Sequence, residues 1–418
     1  MTSTDLATKS VPSRRVKYVR LGNSGLKVSQ IILGCMSYGS SQWRPWTLEE
    51  EESIKHIKYA YESGIQTFDT ANMYSNGMSE IVLGNAIKKL QLPREEIVIM
   101  TKVRHPVGKT LDVKPLDLFL AGPDTRGYVN QYGLSRKHIL ASVQDSLKRL
   151  QVDYIDLLQC HRFDYETPIS ETMEALHEVV KAGYVRYIGM SSCHAWQFHV
   201  MQSTVLATCS LNNLTQQTCC ADYAITHNLT PFISMQNHYN LLHREEEREM
   251  MPSLKHFGVG SIPWSPLARG ALTRPATTTA EKTLRQESDE LPPDAYFILG
   301  AGSKDIVDRL VDIPKVKDFK IESPLQNRGD RAQARRHDGS SIIGLADGER
   351  WHVPMLRVCY DVHSLIELSR IGVTAPIVGT TSLEKLEDLI GAVNVKLTAE
   401  EMAYLEEPYK PMKIFMYN

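Results

Sequence analysis

From Ile31 onward, short apolar runs alternate with amphipathic helical segments, and the alternation carries through eight candidate strands. The runs are Ile31–Leu33, Thr67–Thr70, Ile97–Met100, Tyr154–Cys160, Tyr187–Met190, Phe232–Met235, Gly260–Pro263 and Pro376–Val378. Between them stand apolar residues at helical spacing, such as Ile54, Ile57 and Tyr61 ahead of Gly64, or Ile139, Val143, Leu147 and Leu150 after Ser135. Thr47-Leu48-Glu49-Glu50 reads as a capping box and Ser79 as the cap of the next helix. Pro168 falls where a first helical turn would start, with Gly183 beyond that helix's end.

Regular strand–helix alternation demands a parallel sheet, because parallel neighbours need a crossover between them. Eight repeats without a glycine-rich nucleotide fingerprint favour an α/β fold closed as a (β/α)8 TIM barrel over an open, doubly wound sheet. An N-terminal hairpin is expected at Tyr18–Ser29, turning at Asn23-Ser24-Gly25. The chain's 418 residues suit one such barrel with additions. The expected organisation is a flexible leader over 1–15, a barrel over 16–410 and a short tail over 411–418.

Lys and Arg number 47 against 49 Asp and Glu, so no net field draws nucleic acid or an anionic membrane surface. No stretch approaches the ~18 uninterrupted apolar residues of a membrane span, and the first residues lack a secretion signal's apolar core. The seven cysteines include no CxxC pair, which fits a reducing cytoplasm better than a disulfide framework or a metal site. Gly108-Lys109-Thr110 ends like a phosphate-binding loop, but Val103 stands where its first glycine belongs. His177-Glu178 opens like a zinc-protease helix, but Lys181 occupies the closing position.

In a barrel of this kind the chemistry sits just past the C-terminal ends of the strands. Asp69 and Tyr74 follow the second strand, Lys102 the third and His161 the fourth. Each has a bland reading: a loop cap, a half-buried aromatic, a surface charge, a core histidine. Together they suit carbonyl reduction. Hydride addition leaves an alkoxide that needs a proton, and a phenol near pKa ~10 holds its proton too tightly to exchange it easily. A neighbouring ammonium lowers that pKa, a carboxylate holds the ammonium in place, and an imidazole orients the carbonyl oxygen.

The stretches LGNSGLKVS, GIQTFDTANMYSNGMSEIVLGNAI, VIMTKV, LSRKHILASVQDSLKRLQVDYIDLLQCHRFD and VRYIGMSS resemble the aldo-keto reductase superfamily. The likeness is greatest to its fungal aryl-alcohol-dehydrogenase-like and norsolorinate-reductase-like branch. The resemblance implies NADP(H) as cofactor, a small carbonyl substrate, and Asp69, Tyr74, Lys102 and His161 as the catalytic tetrad with Tyr74 as acid. It implies that Ser191, Ser192 and Gln236 bind the nicotinamide carboxamide and that Trp264 stacks on the ring. Ser265, Pro266, Leu267, Ala268, Arg269 and Gly270 match the loop over the pyrophosphate, and Met36 a cofactor contact after the first strand. Gly379, Thr380, Thr381 and Ser382 match the adenosine-phosphate segment, where Lys385 would favour a 2′-phosphate. Asp388 matches the adenine contact, although Leu389 stands where the family usually has Asn. Alternatives to an enzyme are a cofactor-binding regulatory subunit, as in the related potassium-channel β subunits, and an inactive product.

Trp43, Trp46 and Phe163 fall in loops near the expected mouth, where they either wall an aromatic substrate or pack beneath the loops. Two stretches, 203–221 and about 311–370, lose both the helical period and the family pattern. They read either as surface insertions or as translated non-coding sequence. Neither holds a tetrad residue, so their expected cost falls on stability.

Overall fold

The computed structural model describes residues 15–202, 227–273, 283–288, 302–312, 372–394 and 397–412. The two aberrant stretches lie outside these, apart from the end of a helix at Ser303–Asp312. Among the described residues no helix is long and apolar enough to cross a membrane.

The chain enters as an antiparallel hairpin, β1 (Tyr18–Arg20) and β2 (Lys27–Ser29), with Val19 opposite Val28. Eight parallel strands follow: β3 (Ile32–Gly34), β4 (Thr67–Asp69), β5 (Val98–Val103), β6 (Ile155–Cys160), β7 (Val185–Ser191), β8 (Phe232–Gln236), β9 (Gly260–Ser261) and β10 (Ile377–Val378). They pair in sequence order, and β10 returns beside β3. Bridges Ser261↔Val373 and Trp264↔Ile377 join the last two strands and close the barrel. All eight candidate strands of the sequence are present.

The alternation of strand side chains decides what lies inside. In β5, Ile99 and Val103 point outward to the layer beneath the helices, whereas Val98 and Met100 pack with Ile32, Leu157, Ile262 and Ile377 in the barrel's interior. Leu21 and Val28 of the hairpin join that inner cluster and plug the barrel's floor. The same period of two carries Lys102 inward one step above Met100. It likewise turns Asp69, Gln159, Ser191 and Gln236 into the upper barrel.

The helices α1 (Glu50–Glu62), α2 (Met78–Lys89), α4 (Arg136–Leu150) and α5 (Ile169–Lys181) cover the outer wall, and α3 (Pro115–Ala121) lies in the long segment after β5. Their starts differ in part from the expected caps. Ser135 caps α4, accepting from the His138 amide at 3.3 Å. At α1 the cap position is Glu49, whose carboxylate instead accepts from the Ser41 amide at 2.8 Å, and the Thr47 hydroxyl finds no partner among the described residues. The cap position of α2 is the left-handed Gly77, while Ser79 turns inward and donates to the Cys35 carbonyl at 2.7 Å. Pro168 takes the cap position of α5 rather than its first turn.

Candidate active site

At the C-terminal ends of β4, β5 and β6 three of the expected polar residues converge with Tyr74. The Lys102 ammonium donates to Asp69 Oδ2 at 2.6 Å, to the Thr70 carbonyl at 2.8 Å and to the Tyr74 hydroxyl at 3.3 Å. Lys102 is wholly buried and Asp69 nearly so. Their pairing follows from register, since β4 and β5 are neighbours with Asp69 opposite Met100 and Lys102 two residues on. His161, just past β6, sets its ring edge-on to that of Tyr74 with centroids 5.7 Å apart. Its Nδ1 is buried and has no hydrogen-bond partner among the described residues.

Gln159 and Gln236 hold the other side of Asp69, each donating to Oδ1 at 3.0 Å, and Gln236 also donates to Gln159 Oε1 at 2.9 Å. The carboxylate is thus fixed by an ammonium on one oxygen and two amides on the other. Gln159 escaped the sequence reading, although its position two residues before His161 on an inward face carried the signal.

Burial is the strongest influence on the Tyr74 phenol and pushes its pKa up; Lys102 pulls it down, and the balance lies above the usual tyrosine value. The ammonium thus acts in the expected direction, but burial outweighs it. At neutral pH the phenol keeps its proton. Burial works against the Lys102 ammonium, yet Asp69 and Tyr74 together hold its pKa above the usual lysine value. Burial, reinforced by His105 and Arg162, drives His161 well below the ordinary histidine range, so its imidazole is neutral. His105 packs its ring against His161 at 4.9 Å and is neutral for the same first reason. Arg162 donates to the His161 carbonyl at 2.6 Å and lies over the Trp264 ring at 5.6 Å.

Most of the remaining expected residues follow the other strands of the barrel. Ser191 donates to the Gln236 carbonyl at 2.9 Å, and the Trp264 indole N–H donates to Ser192 Oγ at 2.9 Å. His238 stacks on the half-buried Trp264 indole at 4.2 Å. Ser265, Ala268 and Arg269 all hold left-handed φ (53°, 47° and 56°), strain of the kind found at ligand-gripping loops. Pro266 and Leu267 are buried within that loop, and Gly270 follows with φ 96°. Beyond β10, Gly379 to Ser382 lead into the helix Leu383–Gly391, where Ser382 accepts from the Lys385 amide at 3.4 Å. Thr381 is exposed, Lys385 half-buried and Asp388 buried on this helix's approach and body. Met36 sits in the turn after β3, beside buried Cys35.

Polar side chains at the ends of β7 and β8, an indole and a capped helix N-terminus after β10 fit a nicotinamide dinucleotide. Trp43, Trp46 and Phe163 are buried under loops. None of them lines the cavity beside Tyr74, whose walls come instead from Met73 and the segment after β5.

The Aldo/keto reductase family model matches residues 30–410. The chain is 39% identical over 405 residues to AAD16 of Saccharomyces cerevisiae, named among the aryl-alcohol dehydrogenases, covering 95% of this chain and 98% of that one. It is 39% identical over 399 residues to the versiconal hemiacetal acetate reductase of Aspergillus parasiticus, covering 96% and 98%. It is 38% identical over 417 residues to the aldo-keto reductase dtxS3 of Metarhizium robertsii, covering 97% and 95%. With its barrel, its mouth and these relatives, the chain belongs to the aldo/keto reductase family, and it is an oxidoreductase acting on carbonyl or alcohol groups.

Proposed function

We propose that the protein reduces an aldehyde or ketone to the alcohol with NADPH, and that Tyr74 is the proton donor. The observation that carries this reading is the buried chain of contacts from Asp69 through Lys102 to the Tyr74 hydroxyl.

When bound, the cofactor supplies a hydride to the carbonyl carbon. The residues of the chain handle the oxygen. The neutral His161 imidazole donates a ring N–H to the carbonyl oxygen and orients it. As negative charge builds there, the Tyr74 hydroxyl gives up its proton, and the adjacent Lys102 ammonium stabilises the phenolate that remains. Asp69 keeps the ammonium charged and aimed. Gln159 and Gln236 keep Asp69 from turning away.

Ser191, Ser192 and Gln236 would hold the nicotinamide carboxamide, and Trp264 its ring. The Ser265–Gly270 loop would cover the pyrophosphate, with Met36 touching the cofactor from the first strand's end. Gly379, Thr380, Thr381 and Ser382 would meet the adenosine phosphate, Lys385 the 2′-phosphate and Asp388 the adenine. Among the relatives one is named a reductase of a hemiacetal ester and others aryl-alcohol dehydrogenases, which supports an aromatic or secondary-metabolite carbonyl compound as substrate. The test is NADPH oxidation with a panel of aromatic aldehydes and quinones. Turnover that disappears in Tyr74→Phe while cofactor binding persists supports the reading. Cofactor binding without turnover of any compound overturns it.

A further inference from the structure

Beside the tetrad lies a cavity of about 190 Å³ between the Tyr74 turn and the segment that follows β5. Asn76 fastens the two walls together, accepting from the Gly108 amide and donating to the Thr110 and Val113 carbonyls. The cavity adjoins the chemistry: His105 in its lining packs edge-on against His161. Its size suits a single aromatic ring, since a cavity of ~150 Å³ accepts benzene.

Met73, Pro106, Pro115 and Leu118 make most of the lining apolar, and Arg104 is the one side chain in it that carries a charge. Burial, the first influence on it, lowers the pKa of that half-buried guanidinium, as expected for a cation lacking a close anion. Among the described residues its buried Nε meets no hydrogen-bond partner. The acid acting on it is Asp164, whose oxygens also accept from neighbouring donors. Oδ2 accepts from the Leu134 amide at 2.6 Å and from the Thr167 hydroxyl at 2.7 Å, and Oδ1 accepts from the Glu166 amide at 3.1 Å. A partly buried guanidinium with an unsatisfied Nε is costly to keep, and its planar fork matches a carboxylate's two oxygens.

We propose that this cavity seats the ring of a carbonyl substrate that also carries an anionic group, and that Arg104 binds that anion. The proposal rests on the reductase reading and adds the substrate's charge to it. Arg104 sets specificity and takes no part in the proton transfer.

The test compares benzaldehyde with 3- and 4-carboxybenzaldehyde in NADPH-dependent reduction by the full chain. For the better acid, kcat/KM should exceed that of benzaldehyde at least about tenfold, chiefly through KM, as a charge-assisted contact predicts. Arg104→Met should bring this ratio close to one, and Arg104→Lys should keep part of it. A wild-type ratio of one or less, or a ratio that survives Arg104→Met, overturns the proposal. A second measurement is independent of turnover and of how the variants fold. Wild-type chain titrated calorimetrically should bind benzoate more tightly than benzamide, and the preference should fade as salt rises. Equal binding overturns the anion seat. Preference for benzoate without reduction of any aldehyde, benzaldehyde included, overturns the reductase reading and leaves the seat standing.

Discussion

Lys102 and Asp69 form an ion pair at 2.6 Å in the upper barrel, with side chains 0% and 3% exposed. Neither charge can turn to water, so each depends on the other. Removing one partner of such a pair costs roughly 3–5 kcal/mol, most of it from the stranded charge. Asp69→Asn should therefore lower stability by about that amount, while its remaining side-chain oxygen still accepts from Gln159 and Gln236. Adding Lys102→Met should return most of the loss but restore no turnover. Urea unfolding of the single and double variants checks this, and a double variant less stable than Asp69→Asn would contradict it.

Tyr74→Phe removes only the hydroxyl, whose partner is the Lys102 ammonium at 3.3 Å. The ammonium keeps Asp69 and the Thr70 carbonyl, so folding should change little. Loss of a positioned proton donor costs ~10²–10⁴-fold in rate. The expected result is a kcat reduced by that factor with cofactor affinity within about twofold of the parent. A loss confined to KM would place Tyr74 in binding and not in proton transfer.

How far the sequence disclosed this site depends on the kind of residue. Asp69, Lys102 and His161 each had a bland reading, but they stood out as a set because titratable groups at successive strand ends meet at one mouth. Gln159 lies on the same inward face, but an amide has no charge to flag it, and its role emerges only when its donor is seen on Asp69 Oδ1. The cavity wall was illegible for a different reason. Its position is set by contacts across the mouth, such as those of Asn76 with the carbonyls of Thr110 and Val113, which no local period encodes. The same holds for Thr47: its spacing matches a capping box, but Leu48 pairs back onto Ser37 and Gly39 and draws the chain past the cap position.

The histidines predict how stability depends on pH. Burial first, then a neighbouring histidine and arginines, depress the folded-state pKa of His161 and His238 well below the ordinary value. In the unfolded chain both take protons near pH ~6.5. Above that pH the two states bind equal numbers of protons and these groups contribute no slope. Below it the unfolded state binds more, so stability falls as pH falls, by up to ~1.4 kcal/mol per pH unit for each such histidine. Urea midpoints measured from pH 7.5 to 5 should decline, and His161→Gln should make the decline shallower. An unchanged slope in that variant would mean that His161 titrates normally in the folded protein.

On the proposed reading, cofactor choice turns on the helix Leu383–Gly391. Ser382 caps it, leaving first-turn amides and the positive end of the helix dipole at the barrel mouth, and Lys385 lies in its first turn. Those backbone groups serve a phosphate in either dinucleotide, whereas a lysine cation adds to the extra phosphate of NADP alone. Lys385→Ala should therefore weaken NADPH about tenfold or more, the worth of one charged hydrogen bond, and shift NADH by less than about twofold. Fluorescence titration with the two reduced cofactors separates these effects. Equal weakening of both would assign Lys385 to the helix's own stability, and a parent chain that binds NADH as tightly as NADPH would remove the 2′-phosphate contact altogether.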